Sequence, residues 1–243
     1  MKRKAYTQPI GNALVYDSIM NFEAALFDAA ETLFTTRGSV GDIYHSVAQK
    51  YGSLASAPEI HEAFIRQFRH SGPLTTDNEK RWWKDVVHRV FSDVGMVEDF
   101  DRFFEEVYDQ FRDSRGWRLF PETREVLEEL KRNQLKIGAI SNFDSRLYSV
   151  MKDLDILSFF DSVTISSETG YAKPQPEIFA AAIRAIGVPA GRIVFTGDSL
   201  VDDFQAGQTA GLESFLLDRA GRYSAMESVR RIQSLRDLLP KLT

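Results

Sequence analysis

Four clusters of polar residues each stand directly or shortly after a short apolar run of this 243-residue chain. They place acids, hydroxyl and amide groups and a lysine at equivalent points along the sequence. In chain order the clusters are Asp28 with Thr32, Ser141 with Asn142, Lys173 with Pro174, and Gly197-Asp198 with Asp202 and Asp203. One such cluster alone is typical of a turn or a helix cap, but four in this order indicate one shared site.

The residue types in these clusters suit phosphoryl transfer. A carboxylate can attack phosphorus and form an aspartyl-phosphate intermediate. Two carboxylates near one point can hold Mg²⁺, which prefers hard oxygen ligands and bridges to phosphate. A lysine ammonium and a hydroxyl donor can bind the remaining phosphoryl oxygens and offset the charge of the transition state. The set therefore supplies both the positioning and the neutralisation that the reaction needs.

These clusters need elements that bring them together, and the apolar runs predict such elements. Five runs have the length and composition of buried strands: residues 23–27, 135–140, 162–165, 192–196 and 213–217. Segments with helical spacing, residues 122–133 and 176–186, lie between some of these runs. The alternation predicts an α/β fold with a doubly wound parallel sheet. Sheets of this kind place ligands at the carboxyl ends of their strands.

The stretch from about residue 40 to residue 115 breaks this alternation. It is predicted to be helical over residues 40–51, 59–68, 78–94 and 97–112, and it is dense in aromatic residues. We interpret the aromatics as the core of a helical bundle, with the further hypothesis that some line a substrate entrance. The predicted organisation is an α/β core of residues 1–37 and 116–243 and a helical cap of residues 38–115.

Composition excludes several kinds of site. The chain has no cysteine, which removes disulfides, thiolate zinc sites and cysteine nucleophiles. A net charge of -5 gives no broad basic face, so we expect no nucleic-acid partner. No apolar run approaches the length of a membrane helix, and the basic Met1-Lys-Arg-Lys start is followed by polar residues rather than an apolar signal segment. We expect a cytoplasmic protein, a monomer or a homodimer.

The chain from about residue 22 to residue 242 resembles the haloacid dehalogenase superfamily, in the subfamily with a helical cap inserted after the first strand. Residues 26–34 with 37–40 look like the branch of haloacid dehalogenase-like hydrolase domain-containing protein 3. The resemblance implies a Mg²⁺-dependent hydrolase acting on a small phosphorylated molecule. It implies these roles: Asp28 as nucleophile, Thr32 as the motif I threonine, Ser141 as the motif II hydroxyl, Lys173 as the motif III lysine, Asp198 as metal ligand, Asp202 or Asp203 as the second acid, and the backbone carbonyl of Ala30 as a metal ligand.

The chain departs from this family at two positions. Phosphatases of the superfamily carry a second aspartate two residues after the nucleophile, and this chain has Ala30 there. General acid-base help is worth about 10²–10⁴-fold, so its loss predicts slow turnover or a need for good leaving groups. Glu31 replaces the usual glycine at the next position, and we do not expect it to supply the missing acid. Arg37 and Asn142 are predicted to lie near the substrate.

Three other functions fit parts of the sequence. Dehalogenases of the superfamily also lack the second aspartate, although their fourth motif typically lacks the Gly-Asp pair seen at residues 197 and 198. Phosphonoacetaldehyde hydrolases also have alanine at this position but need a cap lysine, for which Lys50, Lys80 and Lys84 are available. A phosphate-compound binding protein without turnover is the non-enzymatic alternative. The four histidines, all in the predicted cap, are interpreted as surface or cap residues.

Overall fold

Residues 22–71 and 74–242 are described by the computed structural model, so the prediction on the basic N-terminal residues lies outside the described residues. The strands are β1 (Ala24–Phe27), β2 (Phe34–Thr36), β3 (Trp117–Leu119), β4 (Lys136–Ser141), β5 (Ser162–Ile165), β6 (Ile193–Gly197), β7 (Glu213–Leu217) and β8 (Arg231–Ile232). Six of them form one parallel sheet in the order β5-β4-β1-β6-β7-β8. All five predicted strands are confirmed.

The α-helices account for most of the remaining regular structure in the described residues. They are α1 (Val40–Ala48), α2 (Ala57–Arg69), α3 (Glu79–Val94), α4 (Phe100–Gln110), α5 (Thr123–Arg132), α6 (Arg146–Asp153), α7 (Ser166–Thr169), α8 (Pro176–Ile186) and α9 (Ala206–Thr209). Short 3₁₀ turns cover Gln49–Tyr51, Thr76–Asn78, Leu157–Phe159, Ala190–Arg192 and Leu235–Lys241, and a π-helical turn covers Leu200–Gln205.

Successive residues of β1 face opposite sides of the sheet, and each side has its own apolar core. Ala25 and Phe27 are fully buried on the side where α5 and α6 pack. Ala24 and Leu26 are fully buried on the other side, where α8 packs. Helices therefore cover both faces, which confirms the predicted doubly wound α/β fold.

Helices α1 to α4, which we call the cap, interrupt the alternation between β2 and β3. These two strands pair antiparallel, with Phe34 opposite Leu119 and Thr36 opposite Trp117, so the chain leaves and re-enters the sheet domain at one place. The four predicted cap helices are all present, although the first ends at Ala48 and the last covers only Phe100–Gln110. The division into two domains at residues 38 and 115 stays a prediction.

Local signals explain where the cap helices begin. The Ser39 hydroxyl accepts a hydrogen bond from the Asp42 amide at 3.0 Å, and the Asp42 carboxylate accepts one from the Ser39 amide at 2.7 Å. This reciprocal pair satisfies two amides at the start of α1. Phe91, Phe103 and Phe104 are buried between the cap helices, as expected for a bundle with its own core. Within the described residues no helix has the length and apolar character needed to span a membrane.

Candidate active site

The register of the sheet brings Asp28 and Asp198 to the same edge. Phe27 of β1 lies opposite Thr196 of β6, and the Asp28 amide donates a hydrogen bond to the Thr196 carbonyl at 2.9 Å. Asp28, the first residue after β1, therefore lies beside the end of β6. Asp198 is the first residue after β6, so the two acids follow neighbouring strand ends. On the other side of β1, the neighbouring strand β4 ends at Ser141. Three predicted site residues thus follow from three adjacent strand ends.

Three carboxylates and one ammonium meet at this edge. Oxygen atoms of Asp28, Asp198 and Asp203 lie within 4.8 Å of one another. The Lys173 ammonium donates to Asp28 Oδ1 and to Asp203 Oδ1, both at 2.6 Å. Asp28, Lys173 and Asp203 are all buried, at 7%, 6% and 2% exposure. The arrangement holds more negative than positive charge in a space that water scarcely reaches.

Asp203, not Asp202, is the second acid of the cluster. Its position depends on Gly197, because a Cβ atom there would lie 2.3 Å from Asp203 Cγ. The Ser199 amide donates to Asp203 Oδ2 at 2.9 Å, which fixes the carboxylate at the start of the π-helical turn. Asp202 is half-buried and lies outside the carboxylate cluster. The sequence alone had left these two acids as alternatives.

The crowded carboxylates hold their protons unusually tightly. Burial raises the pKa of Asp28 to about 6, since the opposing charge of Lys173 only partly offsets it. Burial and the charges of Asp28 and Asp203 raise the pKa of Asp198 to about 7. Burial lowers the pKa of Lys173, but the charges of Asp203 and Asp28 outweigh it and leave the pKa above its ordinary value. A set of hard oxygen donors with unneutralised charge fits a divalent cation such as Mg²⁺.

Three further predicted site residues, Thr32, Ser141 and Asn142, stand at or after the carboxyl ends of β1 and β4. The Asn142 amide nitrogen donates to the Lys173 carbonyl at 2.9 Å, and its oxygen accepts from the Lys173 amide at 2.7 Å. Asn142 therefore holds the lysine in place, a role that the sequence did not indicate. Ser141 is buried at the end of β4. Thr32 is fully buried, and its hydroxyl has no hydrogen-bond partner among the residues that the structure describes.

The two departures from the superfamily pattern lie at the boundary between this site and the cap. Ala30 and Glu31 both line a cavity beneath the cap helices. Glu31 adopts a left-handed backbone conformation with φ of 62°, and its exposed carboxylate accepts a hydrogen bond from the Thr35 hydroxyl at 2.8 Å. The position that carries an acid in related phosphatases thus presents only a methyl group.

Arg37 is not brought to the site. Its Nε donates to the Ser114 carbonyl at 2.7 Å, on an exposed surface where the cap connects to the sheet domain. The pairing of β2 with β3 causes this, because it carries the Arg37 amide onto the Gly116 carbonyl and turns the side chain along the connection. The expectation of a substrate contact is therefore not supported by the geometry.

A polar network that the sequence did not reveal fastens the cap to this edge of the sheet. The Trp83 indole of α3 donates to the carboxylate of Asp144, which also forms a buried ion pair with Arg146. The Arg146 guanidinium lies 4.9 Å from the Trp83 ring centroid and 4.2 Å from that of Tyr108. Asp144 follows β4 closely enough to be expected near the site. No pattern in the sequence, however, links it to Trp83, which lies 61 positions earlier in the chain.

A family comparison agrees with this geometry. The sequence profile of the haloacid dehalogenase-like hydrolases matches residues 22–211, which include all four acid, hydroxyl and lysine clusters. The chain belongs to the haloacid dehalogenase-like hydrolase family. It is therefore an enzyme of the hydrolase class, and its helix-covered parallel sheet is the fold of that family.

Vertebrate members of the haloacid dehalogenase-like family resemble the chain over most of its length. Haloacid dehalogenase-like hydrolase domain-containing protein 3 of Danio rerio is 29% identical over 203 residues, covering 80% of this chain and 84% of the relative. The Xenopus laevis protein of the same name is 29% identical over 236 residues, covering 92% and 96%. The predicted resemblance to this branch is confirmed.

Solved structures with the same fold include different activities of the family. A HAD phosphatase from Thermococcus onnurineus matches with a TM-score of 0.66 and 22% identity, covering 91% of this chain and 98% of that one. An L-2-haloacid dehalogenase from Xanthobacter autotrophicus matches with a TM-score of 0.66 and 16% identity, covering 89% and 96%. At these identities the matches establish the fold and leave the reaction to be argued from the site.

Proposed function

We propose that this hydrolase is a Mg²⁺-dependent phosphatase that acts on a small phosphorylated molecule through an aspartyl-phosphate intermediate on Asp28. The observation that carries the proposal is the cluster of Asp28, Asp198 and Asp203 within 4.8 Å of one another, with Lys173 bonded to two of them. A nucleophile, a cation site and a fixed positive charge are the parts that phosphoryl transfer requires.

The cation site is assigned to the carboxylates that retain free oxygen atoms. Asp28 uses Oδ1 to bind Lys173, and Asp203 uses both of its oxygens for Lys173 and the Ser199 amide. Asp198 and the second oxygen of Asp28 are therefore the proposed Mg²⁺ ligands, with the Ala30 carbonyl as the third. When bound, Mg²⁺ would offset the charge of these carboxylates and of the phosphoryl oxygens. A Bacillus subtilis protein of the same fold, YfnB, assigned to the HAD hydrolases, was solved bound to magnesium.

The proposed reaction has two displacements at phosphorus. A carboxylate oxygen of Asp28 attacks the phosphorus, the bond to the leaving oxygen breaks, and the departing alkoxide takes a proton from water. A water molecule then attacks the phosphorus of the aspartyl-phosphate and the bond from phosphorus to the Asp28 oxygen breaks, which releases inorganic phosphate and restores the Asp28 carboxylate. The proton that this water loses neutralises the hydroxide ion formed in the first step. Lys173 holds Asp28 in position, and Ser141 and Thr32 are assigned to phosphoryl binding and loop support. Because Ala30 cannot donate a proton, turnover is expected to be slow or to favour good leaving groups.

A haloacid dehalogenase is the second candidate, and Ala30 is the observation that favours it. In that reaction the Asp28 carboxylate would displace halide from carbon, and no metal would be needed. Asp198 counts against it, since a metal-free site would leave this carboxylate beside Asp28 and Asp203 without a cation to offset its charge. Lys50, Lys80 and Lys84 form exposed ion pairs with Glu106, Glu105 and Asp101 and do not line the cavity, so no Schiff-base chemistry is proposed.

The test is a screen of aryl and alkyl phosphate esters with and without Mg²⁺, with halide release from haloacids measured in parallel. We expect phosphate release that requires Mg²⁺ and is lost in Asp28→Asn and in Asp203→Asn. Asp202→Asn is the matched control, because it neutralises the adjacent acid outside the carboxylate cluster and should keep most of the activity. Metal-independent halide release would establish the dehalogenase instead. Tight binding of a phosphate compound without turnover of any ester would indicate a phosphate-binding protein.

A further inference from the structure

A cavity of about 680 Å³ lies between the cap and the carboxyl end of the sheet. Ala30 and Asn142 line its inner end. Ala30 is two residues from Asp28 in the sequence, and Asn142 is hydrogen-bonded to Lys173. Its other lining residues lie on cap helices α1 to α4, on the paired strands β2 and β3, and on neighbouring segments that include Phe143, Arg146 and Arg222. A molecule whose phosphoryl group lies at Asp28 would therefore place the rest of its body in this cavity.

The lining of this cavity is unusually aromatic. Nine of its 23 lining residues are phenylalanine, tyrosine or tryptophan, against 12% in the whole chain. The rings hold one another in place: Phe64 stacks parallel to Trp83 at 6.5 Å, and Phe111 packs edge-on against Trp117 at 5.8 Å. Their positions are thus set before a ligand binds, and they present ring faces and edges to the space.

Several polar groups of the lining are already engaged, whereas the buried Nδ1 atom of His61 has no hydrogen-bond partner among the described residues. Both ends of the Asn142 amide bind the backbone of Lys173, and the Thr36 hydroxyl donates to the Gly38 carbonyl at 2.6 Å. The Arg146 guanidinium is paired with Asp144. Charged lining residues with exposed side chains, Glu31 and Arg222, occur at the rim. A polyhydroxylated body such as a sugar would lose its bonds to water and gain few in return.

The part of the entrance that α2 forms is apolar. Ile65 and Phe68 of α2 line it while remaining 37% and 40% exposed, values that are high for such large apolar side chains. Apolar surface that is exposed beside a cavity is typical of a ligand-binding site. An apolar ligand would cover these two side chains on entering.

We infer that the cavity binds an apolar, aryl- or alkyl-aryl body, and therefore that the substrates are phosphate monoesters of bulky apolar alcohols rather than of sugars. The phosphoryl part of this inference rests on the proposed function, whereas the binding of the apolar body does not. The inference rests on the position of an aromatic cavity directly beside the Asp28 site. Ile65 and Phe68 become determinants of specificity at the entrance.

Two measurements test the inference separately from the phosphatase activity. The first is binding of the free alcohol, phenylbutanol or naphthol, followed by the fluorescence of the protein, since Trp83 and Trp117 line the cavity. The second compares phenylbutyl phosphate with ribose phosphate, two primary alkyl esters with similar leaving groups. We expect saturable alcohol binding and a kcat/KM for the phenylbutyl ester at least about tenfold higher, a ratio within reach of apolar pocket contacts.

The double variant Ile65→Ser, Phe68→Ser should raise KM for the phenylbutyl ester and leave that for ribose phosphate unchanged. Leu54→Ser is the matched control, because Leu54 is a fully exposed leucine of the cap that does not line the cavity. Absence of alcohol binding, or an equal or higher kcat/KM for ribose phosphate, would overturn the inference. Alcohol binding that is weakened by the double variant, together with no hydrolysis of any ester, would support the apolar cavity and refute the phosphatase.

Discussion

The Trp83 indole of the cap donates a hydrogen bond to the Asp144 carboxylate of the sheet domain. Asp144 is fully buried and also accepts hydrogen bonds from Arg146 Nε at 3.0 Å and Nη2 at 2.7 Å. Since Asp144 follows Ser141 and Asn142 by only a few residues, the cap is fastened directly to the segment that carries part of the site. The position of the cap and the geometry of the site are thereby coupled.

Replacing either partner of this contact is expected to destabilise the protein, but by different amounts. Asp144→Ala leaves the buried Arg146 charge without its partner and should cost about 3–5 kcal/mol. Trp83→Phe keeps a ring over Arg146 and removes only the hydrogen bond to a charged acceptor, about 1.5–3 kcal/mol. Urea unfolding followed by circular dichroism measures both.

Lys84→Ala provides the control for this pair. Lys84 is adjacent to Trp83 on α3, but its partner is the 80% exposed Asp101. An exposed ion pair of this kind contributes about 0.2–1 kcal/mol. If Trp83→Phe changed stability no more than Lys84→Ala does, the proposed fastening of the cap would be wrong.

Gly197 is expected to be indispensable for the acid cluster. Its Cβ would approach Asp203 Cγ to 2.3 Å, so Gly197→Ala must displace the carboxylate that binds Lys173. We expect loss of Mg²⁺ binding and of hydrolysis, together with lower thermal stability. Gly191→Ala, where a Cβ would meet nothing within 4 Å, should leave all three unchanged. Isothermal titration with Mg²⁺ and a melting curve of each variant distinguish these outcomes.

The raised pKa of Asp198 predicts a pH-dependent stability in the absence of metal. The ordinary pKa of an aspartate is 3.8, and burial with the nearby acids raises that of Asp198 to about 7 in the folded protein. Between these values the folded state binds more protons than the unfolded state, so the free energy of unfolding falls as pH rises. Above pH 7 the buried Asp198 charge lowers the free energy of unfolding by its full amount, and below pH 3.8 it no longer contributes.

The measurement compares wild type with Asp198→Asn in EDTA. The variant should become progressively more stable relative to wild type as pH rises from 3.8 to 7. When Mg²⁺ is added near pH 7, wild type should become the more stable of the two. A stability difference that stays constant over this range would show that the Asp198 carboxylate titrates normally.

Much of the site could be predicted because strand ends in a parallel sheet converge. The short apolar runs before Asp28, Ser141 and Asp198 predict strands, and the sheet order β4-β1-β6 makes those three ends neighbours. Local sequence signals therefore determine both the elements and the edge at which their polar residues meet. The order of neighbours itself comes from packing and could be expected only through the family resemblance.

Other features depend on geometry that no sequence period indicates. The choice between Asp202 and Asp203 depends on a π-helical turn, which changes the angular spacing of side chains after Ser199. Arg37 is carried away from the site by strands of only three residues, too short to leave a clear pattern. The contact of Trp83 with Asp144 joins the cap to the sheet domain through packing between distant parts of the chain.

Ala30 provides the most direct test of why turnover should be slow. Its methyl group lines the cavity next to the nucleophile, so an aspartate at this position can extend into open space toward the leaving group. Ala30→Asp should raise phosphate release by about tenfold or more, within the roughly 10²–10⁴-fold range of general acid-base help. The largest gain is expected for alkyl esters, because a poor leaving group benefits most from a proton donor. Ala30→Asn has nearly the same shape without the acid, so equal rates for the two variants would show that proton donation does not limit this enzyme.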